Sequence, residues 1–169
     1  MQINVSQLLK EPIGSSRSYE VSETIDIAED RNGVMVSGEV SILHTQRGIL
    51  VRGELNTELE LTCSRCLCAF NCPLAINFEE EYISTIDITS GLPLGSPEEP
   101  GSFIIDEHHV IDLTEAIRQY ALLSTPMKPL CREDCAGLCP QCGQNLNQGP
   151  CDCSVRSIDP RWSALMKLQ

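Results

Sequence analysis

The ten cysteines of this 169-residue chain constrain its fold more than any other feature. Six of them fall in one C-terminal stretch, CREDCAGLCPQCGQNLNQGPCDC, and the other four fall in an upstream stretch, CSRCLCAFNC. Two pairs, Cys63/Cys66 and Cys139/Cys142, have the C-x2-C spacing that lets one tight turn direct two thiolates at a single metal ion. The pattern indicates a chain built around bound zinc.

A disulfide scaffold is the main competing interpretation, since an even number of cysteines in a loop-rich chain is also typical of secreted proteins. The N-terminus, MQINVSQLLKEPIGSSRSYE, has no basic segment followed by an apolar one, and the apolar runs of the chain are only a few residues long. We therefore expect a cytoplasmic protein with no membrane span. In such a reducing compartment, clustered C-x2-C pairs are more often metal sites than disulfides.

The net charge of −12 is unevenly distributed along the chain. Residues 1–117 contain 6 Lys/Arg against 20 Asp/Glu, a balance of −14, whereas residues 118–169 contain 6 against 4, a balance of +2. An acidic body repels a phosphate backbone, because non-specific nucleic-acid binding needs clustered Lys and Arg. A basic protein, such as a ribosomal protein, is a better electrostatic partner for it. The simpler interpretation of the same charges is that they keep the protein soluble.

Residues 33–62, GVMVSGEVSILHTQRGILVRGELNTELELT, alternate between apolar and polar, which predicts two strands joined by a turn at Arg47-Gly48. The alternation runs straight into Cys63, so the first C-x2-C pair lies where a strand ends. It resumes in LAINFEEEYI and predicts a return strand that ends near Ile83. A metal site between these two strands would hold their register.

A loop and a helix follow the return strand. Residues 84–101 are rich in Gly, Pro, Ser and Thr, which predicts a mobile loop. Asp112 and Glu115 have the spacing of a capping box and predict the start of a helix that Pro126 ends. The helix has an apolar stripe, which we expect to pack on the sheet, formed by Leu113, Ile117, Ala121 and Leu122.

These patterns predict an α+β fold, with a mainly antiparallel β-sheet, one capped helix packed on it, and a cysteine-rich zinc-binding C-terminal segment. The acidic body spans residues 1–125, and the tail spans residues 126–169. The tail has few large apolar residues and cannot build a core by itself. Structural zinc contributes on the order of 10 to 16 kcal/mol in small peptides. We therefore expect the metal to order the tail, which would be disordered without it.

Spacing divides eight of the cysteines into two four-thiolate sites that would hold one or two structural Zn2+ ions. The tail site combines the Cys139/Cys142 knuckle, where Gly143 can adopt a turn conformation closed to most residues, with Cys151 and Cys153. The bridging site would tie the tail to the sheet, and its predicted ligands are Cys63, Cys66, Cys131 and Cys135.

Other divisions of the thiols stay open. Cys68 and Cys72 are expected to be small packing residues of the return strand, although either can replace an upstream ligand. Cys131 and Cys135 can also remain free. Iron is the alternative metal, but mononuclear iron sites pair two equal C-x2-C knuckles, which the C-x-C of the tail does not match.

Enzyme chemistry has little support in the sequence. All-cysteine metal sets are closed and structural, whereas a catalytic zinc keeps an open position. A redox role for Cys63-Ser-Arg-Cys66 would need a C-x2-C that opens a helix in a βαβ unit, and this one follows a strand. No Gly-rich phosphate loop or nucleophile motif is present, so we expect neither catalysis nor a small-molecule substrate.

The order of LTCSRCL, IDLTEAIRQYALLSTPMKPLC, CREDCAGLCPQCGQNLN, CDC and IDPRWSAL resembles the bacterial YceD family of large ribosomal RNA subunit accumulation proteins. The resemblance runs from about Gly33 to the C-terminus. It implies a non-enzymatic factor for the synthesis, processing or stability of large-subunit ribosomal RNA. Family members are associated with genes for a large-subunit ribosomal protein, which fits an acidic partner for a basic protein. The cysteines at positions 68 and 72 depart from the family pattern.

Two functional hypotheses follow. In the first, the protein is a ribosome-biogenesis factor that binds a basic ribosomal protein or a large-subunit precursor particle. In the second, it is a zinc-ribbon module whose tail binds RNA directly through Arg132, Arg156 and Arg161. The segment IDPRWSALMKL predicts a C-terminal helix that begins with Pro160, in which Trp162 and Arg161 either pack on the body or anchor a partner.

Overall fold

The fold was derived from a computed structural model, which describes residues 1–27, 33–88, 90–94 and 101–153. Within these ranges the chain forms seven strands, one 3-10 helix at Leu8–Lys10 and one α-helix. The strands are β1 (Gln2–Asn4), β2 (Ser16–Ile25), β3 (Val34–His44), β4 (Gly48–Thr62), β5 (Ala69–Ser84), β6 (Ile104–Ile105) and β7 (Val110–Asp112). The α-helix, α1, spans Thr114–Ser124. No helix in this part of the chain is long and apolar enough to cross a membrane.

The main sheet has five strands in the order β2-β3-β4-β5-β6. The first four are antiparallel neighbours, and the short β6 pairs in parallel with the end of β5. A second sheet joins β1 to β7, which brings the N-terminus against residues more than 100 positions away. The predicted antiparallel α+β fold is confirmed, with the predicted strands at β3, β4 and β5. The sequence patterns missed β1 and β2.

The sheet buries one face and leaves the other open. Alternate residues of β4 are buried along almost its whole length, as expected for a strand covered on one side. The helix α1 packs on β5 on the covered face, where the Phe78 and Tyr120 rings lie 5.6 Å apart. Phe78 also lies over its cross-strand partner Gly53, where a Cβ atom would be 2.2 Å from the ring. Any other residue at position 53 would therefore displace the Phe78 ring.

The start of α1 differs from the predicted capping box. Asp112 is the last residue of β7, and its Oδ1 accepts a hydrogen bond from the Thr114 N–H at 2.9 Å. The Glu115 carboxylate binds Arg118 and Gln119 on the next turn, because these donors lie three and four residues along the same helix face. Hydrogen bonds from Arg118 and Gln119 lower the pKa of Glu115 to about 2.

The apolar stripe of α1 is narrower than predicted. Leu113, Ile117 and Ala121 are buried as expected, together with Ala116. Leu122 is 48% exposed, because it lies beyond the edge of the helix face that contacts β5. The loop predicted over residues 84–101 is partly described, with a bridge between Ile86 and Pro93, while residues 89 and 95–100 lie outside the described residues.

Candidate metal centres

The first C-x2-C pair forms a knuckle directly after β4. The Leu67 N–H donates to the Cys63 carbonyl at 3.0 Å, and the Cys63 N–H donates to the Cys68 carbonyl at 2.9 Å. These two bonds close a tight turn in which Leu67 has a φ of +57°. Such a left-handed conformation costs a non-glycine residue about 1 to 2 kcal/mol. The turn buries Cys63 and Cys66 at the end of the β4–β5 hairpin.

The second C-x2-C pair repeats the same turn in the tail. The Gly143 N–H donates to the Cys139 carbonyl at 2.9 Å, and the Cys139 N–H donates to the Gln144 carbonyl at 2.8 Å. Gly143 has a φ of +75°, which confirms the turn conformation predicted for it. Positions 63, 66, 67 and 68 therefore correspond to positions 139, 142, 143 and 144.

The structure brings Cys63, Cys66, Cys131 and Cys135 into one group, in which all Sγ atoms lie within 4.8 Å of one another. The Cys63–Cys135 and Cys66–Cys131 Sγ distances are 3.8 Å and 3.6 Å. Four thiolates placed tetrahedrally about 2.3 Å from a zinc ion are about 3.8 Å apart. The group, named here the bridging site, has the donors and spacing that a four-coordinate Zn2+ requires.

The tail segment that supplies Cys131 and Cys135 is bonded to the first knuckle on both sides. The Ser64 N–H donates to the Pro129 carbonyl at 2.8 Å, and the Leu138 N–H donates to the Arg65 carbonyl at 3.1 Å. The Arg65 guanidinium donates to the Cys135 carbonyl at 2.9 Å. The tail is thus joined to the hairpin by backbone contacts as well as by the four thiols.

The second predicted group is also assembled, again with all Sγ atoms within 4.8 Å of one another, and is named here the tail site: Cys139, Cys142, Cys151 and Cys153. Its Cys139 is buried, whereas Cys142 is exposed. An isolated bridge between Leu138 and Asn145 supports the turn that holds the first two thiols. Both four-cysteine groups can hold a metal ion, and zinc is the prediction made from their all-thiol donor set.

Asn147, which lies in the chain between Cys142 and Cys151 of the tail site, bonds to the bridging site, a contact that the sequence patterns missed. Its Nδ2 donates to the Cys135 Sγ at 3.3 Å, and its Oδ1 accepts from the Ala136 N–H and from the Arg132 guanidinium. Hydrogen bonds to a metal-ligating sulfur orient it and stabilise its negative charge. An asparagine four residues after Gly143, at the end of the NLN sequence, is the only signal that the sequence offered.

Hydrogen bonds lower the pKa of some thiols in the two sites and raise the pKa of others. Burial opposes ionisation of Cys63, but backbone N–H groups of Cys131, Cys66 and Arg65 outweigh it and lower the pKa of Cys63 to about 6. Backbone N–H groups of Cys142 and Gln141 lower the pKa of Cys139 to about 6. Hydrogen bonding to Cys142, together with burial, raises the pKa of Cys153 to about 12. The first cysteine of each knuckle is therefore the thiolate that is most readily available to a metal.

The two remaining cysteines have different positions. Cys72 lies in β5 opposite Leu59 and is half-buried, as expected for a packing residue. Cys68 lies outside the return strand, contrary to the prediction, because the left-handed turn at Leu67 directs it back to the knuckle. Its Sγ is 3.1 Å from the Cys66 Sγ.

The residues predicted for partner contact are only partly described. Arg132 is exposed, but its guanidinium bonds to Asn147 and forms an ion pair with Asp134 at 3.3 Å. Arg156, Arg161 and Trp162, with the predicted C-terminal helix, lie outside the described residues.

The chain is similar to several known proteins. Residues 51–169 match the family described as "Large ribosomal RNA subunit accumulation protein YceD". An uncharacterized protein of Mycobacterium tuberculosis is 27% identical, with 99% of this chain and 81% of that protein aligned. The "Large ribosomal RNA subunit accumulation protein YCED homolog 1, chloroplastic" of Arabidopsis thaliana is 26% identical, with 86% of this chain and 52% of that protein aligned. No solved structure matches the chain. Since the family match covers most of the chain, including all ten cysteines, this protein belongs to the YceD family.

Proposed function

We propose that this protein is a non-enzymatic ribosome-biogenesis factor that supports the synthesis, processing or stability of large-subunit ribosomal RNA. Family membership and the name of the Arabidopsis relative support the ribosomal role. The factor acts by binding a basic ribosomal protein or a precursor particle that contains one. The observation that carries this mechanism is the acidic open face of the main sheet.

The open face carries the outward residues of β2, β3, β4 and β5, which alternate with the buried ones. Within the described residues, Arg52 is the only cation among the exposed outward side chains of these strands, and it is bound to Glu79. The exposed outward glutamates of the four strands are Glu20, Glu39, Glu54, Glu58, Glu60 and Glu79. This surface is a negatively charged plane.

Three of these glutamates form a row across the sheet. Glu20 is the register partner of Glu39, and Glu39 is the register partner of Glu54. No ion pair in the described part of the chain joins any of the three to a cation. Like charges directly opposite each other on neighbouring strands are destabilising. A bound cationic segment would remove that repulsion.

The face also has a shape that suits a basic side chain. A depression of about 170 Å³ is lined by Glu39, Ser41, Arg52 and Glu54. Two carboxylates of the row thus border a concavity that can receive the end of a lysine or arginine. Complementary charge of this kind accelerates association and disfavours anionic partners. The open face is therefore suited to a Lys/Arg-rich protein segment.

The two metal sites support a structural role for the metal in this proposal. Each site presents four thiols, and a bound zinc in such a set has no open position for a substrate. A bound ion would cross-link the tail, and the residues of the knuckles would position the tail beside the β4–β5 hairpin.

Charges in residues 126–153 of the tail favour this mechanism over direct RNA binding. Residues 126–153 contain two cations, Lys128 and Arg132, against three acids, Glu133, Asp134 and Asp152. The net charge of this part is −1, and Arg132 is already ion-paired. A phosphate backbone needs a cluster of available cations, which this part of the tail lacks.

The test uses two charge reversals with the same change in net charge. Glu39→Lys places a cation in the middle of the glutamate row, whereas Glu107→Lys changes an exposed residue between β6 and β7. Cells that depend on either variant are compared for the ratio of large- to small-subunit ribosomal RNA. The tagged proteins are also compared for co-purified large-subunit proteins. We expect Glu39→Lys to lower both readouts and Glu107→Lys to preserve them.

Equal behaviour of the two variants would refute the open face as the docking surface. Binding of naked RNA by the purified protein, with an affinity that falls steeply with salt, would instead support the tail as an RNA-binding module.

A further inference from the structure

Cys68 is a fifth thiol at the bridging site. The site already has four thiols, yet the Cys68 Sγ lies 3.1 Å from the Cys66 Sγ. That separation is shorter than the 3.6 Å between the Cys66 and Cys131 sulfurs and the 3.8 Å between the Cys63 and Cys135 sulfurs. Cys68 is thus the nearest sulfur to Cys66 among these pairs.

The second knuckle shows that this extra thiol is not needed to form the turn. Gln144 occupies the position that corresponds to Cys68, and its carbonyl accepts the same kind of bond from Cys139 that the Cys68 carbonyl accepts from Cys63. The Gln144 side chain carries no sulfur, and its Nε2 donates to the Pro150 carbonyl. The backbone of residue 68 makes the turn, and its thiol is left for another role.

The two cysteines differ in exposure. Cys66 is only 6% exposed, whereas Cys68 is half-buried and adjoins Leu67, which is 64% exposed. A small oxidant in solution therefore reaches Cys68 more readily than Cys66. Two features of redox-sensor cysteines are present here, an accessible thiol and a second, resolving cysteine beside it.

We propose that Cys66 and Cys68 form an oxidative modification site for hydrogen peroxide, and that a disulfide between them releases the metal ion of the bridging site. Peroxide transfers one oxygen to the Cys68 thiol, which gives a sulfenic acid and one water. The Cys66 thiolate then attacks the Cys68 sulfur, and the displaced hydroxide takes up a proton from solvent and leaves as a second water. One thiol, one thiolate, one proton and one peroxide thus become one disulfide and two waters.

The geometry requires only a local movement. The two sulfurs must approach from 3.1 Å to about 2.05 Å, and the exposed Leu67 between them has no core packing to lose. The product leaves three thiols at the site, Cys63, Cys131 and Cys135, and removes Cys66 as an anionic ligand. A structural zinc bound by four thiolates is thereby lost, and the tail loses one of its attachments to the hairpin.

The experiment uses the full-length zinc-loaded protein, hydrogen peroxide at low molar excess and a chromophoric zinc chelator. Released zinc is followed in time, and the disulfides are mapped by mass spectrometry after the free thiols have been alkylated. We expect one zinc per chain to be released quickly, with a Cys66–Cys68 disulfide, and dithiothreitol to restore binding. Cys68→Ser should bind the same amount of zinc and release it roughly tenfold more slowly, because an oriented neighbouring thiol accelerates the second step.

Two further variants make the outcome decisive. Cys72→Ser removes a half-buried thiol from β5 and should leave the release rate unchanged. Gln144→Cys adds a thiol at the matching position of the second knuckle, and peroxide should then release both zinc ions quickly.

The proposal is wrong if Cys68→Ser releases zinc at the unaltered rate or if the mapped disulfide joins Cys66 to Cys131. Loss of one zinc from Cys68→Ser before oxidation would make Cys68 a ligand and would also overturn it. Unchanged release from Gln144→Cys would show that a neighbouring thiol at this position does not control metal release.

Discussion

Neutralising the centre of the glutamate row should stabilise the fold while weakening the proposed partner interaction. Glu39 is opposite Glu20 on one side and Glu54 on the other, so Glu39→Gln removes two repulsive pairs in a single nearly isosteric change. Glu58→Gln removes one exposed glutamate from the same open face, but the β5 partner of Glu58 is Pro73. It is the matched control.

The magnitude follows from the register. Side chains directly opposite on antiparallel strands have Cβ atoms about 4.5 to 5.5 Å apart, so that outward carboxylates lie roughly 6 Å apart. Two unit charges at this distance in water repel by about 0.7 kcal/mol, or about 1 kcal/mol for two pairs after weak screening at low salt. In 1 M salt the Debye length is about 3 Å, and the gain should fall to about 0.2 kcal/mol.

The assay is urea and thermal unfolding of the three proteins at low salt and in 1 M sodium chloride. We expect Glu39→Gln to raise the free energy of unfolding by about 1 kcal/mol at low salt, or about 2 to 4 °C in Tm, and Glu58→Gln to raise it less. If both variants gain equally, or if salt leaves the difference unchanged, repulsion within the row is not the cause and the argument for a cationic partner loses its energetic basis.

Three other outcomes are expected. Removing the metal with a chelator should abolish amide protection over residues 129–153 and preserve it in β3 and β4, as measured by hydrogen exchange; a tail that stays protected would show that metal does not order it. Because the pKa values of Cys63 and Cys139 are lowered to about 6, both thiols ionise before zinc binds at pH 7.5, and each site should release fewer than four protons in calorimetry across several buffers. A thiol with a lowered pKa makes its full contribution only above the ordinary thiol pKa near 9, and that contribution is lost as the pH falls through 6. Zinc affinity should therefore still fall as the pH falls through 6. Release of four protons per site would show that the two pKa shifts are absent. Gly143→Ala should lower the affinity for one of the two zinc ions roughly tenfold in chelator competition. No atom lies within 4 Å of the added Cβ, so the substitution introduces only left-handed backbone strain of about 1 to 2 kcal/mol. An equal loss of affinity for both ions would contradict this.

Strands could be predicted from the sequence where one face of the strand is buried and the other is exposed to solvent. The alternation in β3, β4 and β5 follows directly from that condition. In β2 the inward positions include Arg17, Tyr19 and Val21, which are only half-buried, so the hydrophobic period is weak. Leu122 shows the opposite error, since a leucine assigned to the apolar stripe is exposed when it lies beyond the edge of the helix face that contacts the sheet.

The sequence by itself determined which thiols can form knuckles, because C-x2-C spacing and a residue that takes a left-handed turn act over only a few positions. It also determined that the body is acidic and that the tail cannot form an apolar core. Spacing also offered, among other divisions, a site shared by Cys63 and Cys135, which lie 72 residues apart. Tertiary structure alone decided among these divisions and placed Asn147 against Cys135. It also decided that three glutamates from separate strands align and that Cys68 returns to Cys66. These pairings depend on strand register and on the path of the tail, which are set by packing between segments distant in the chain.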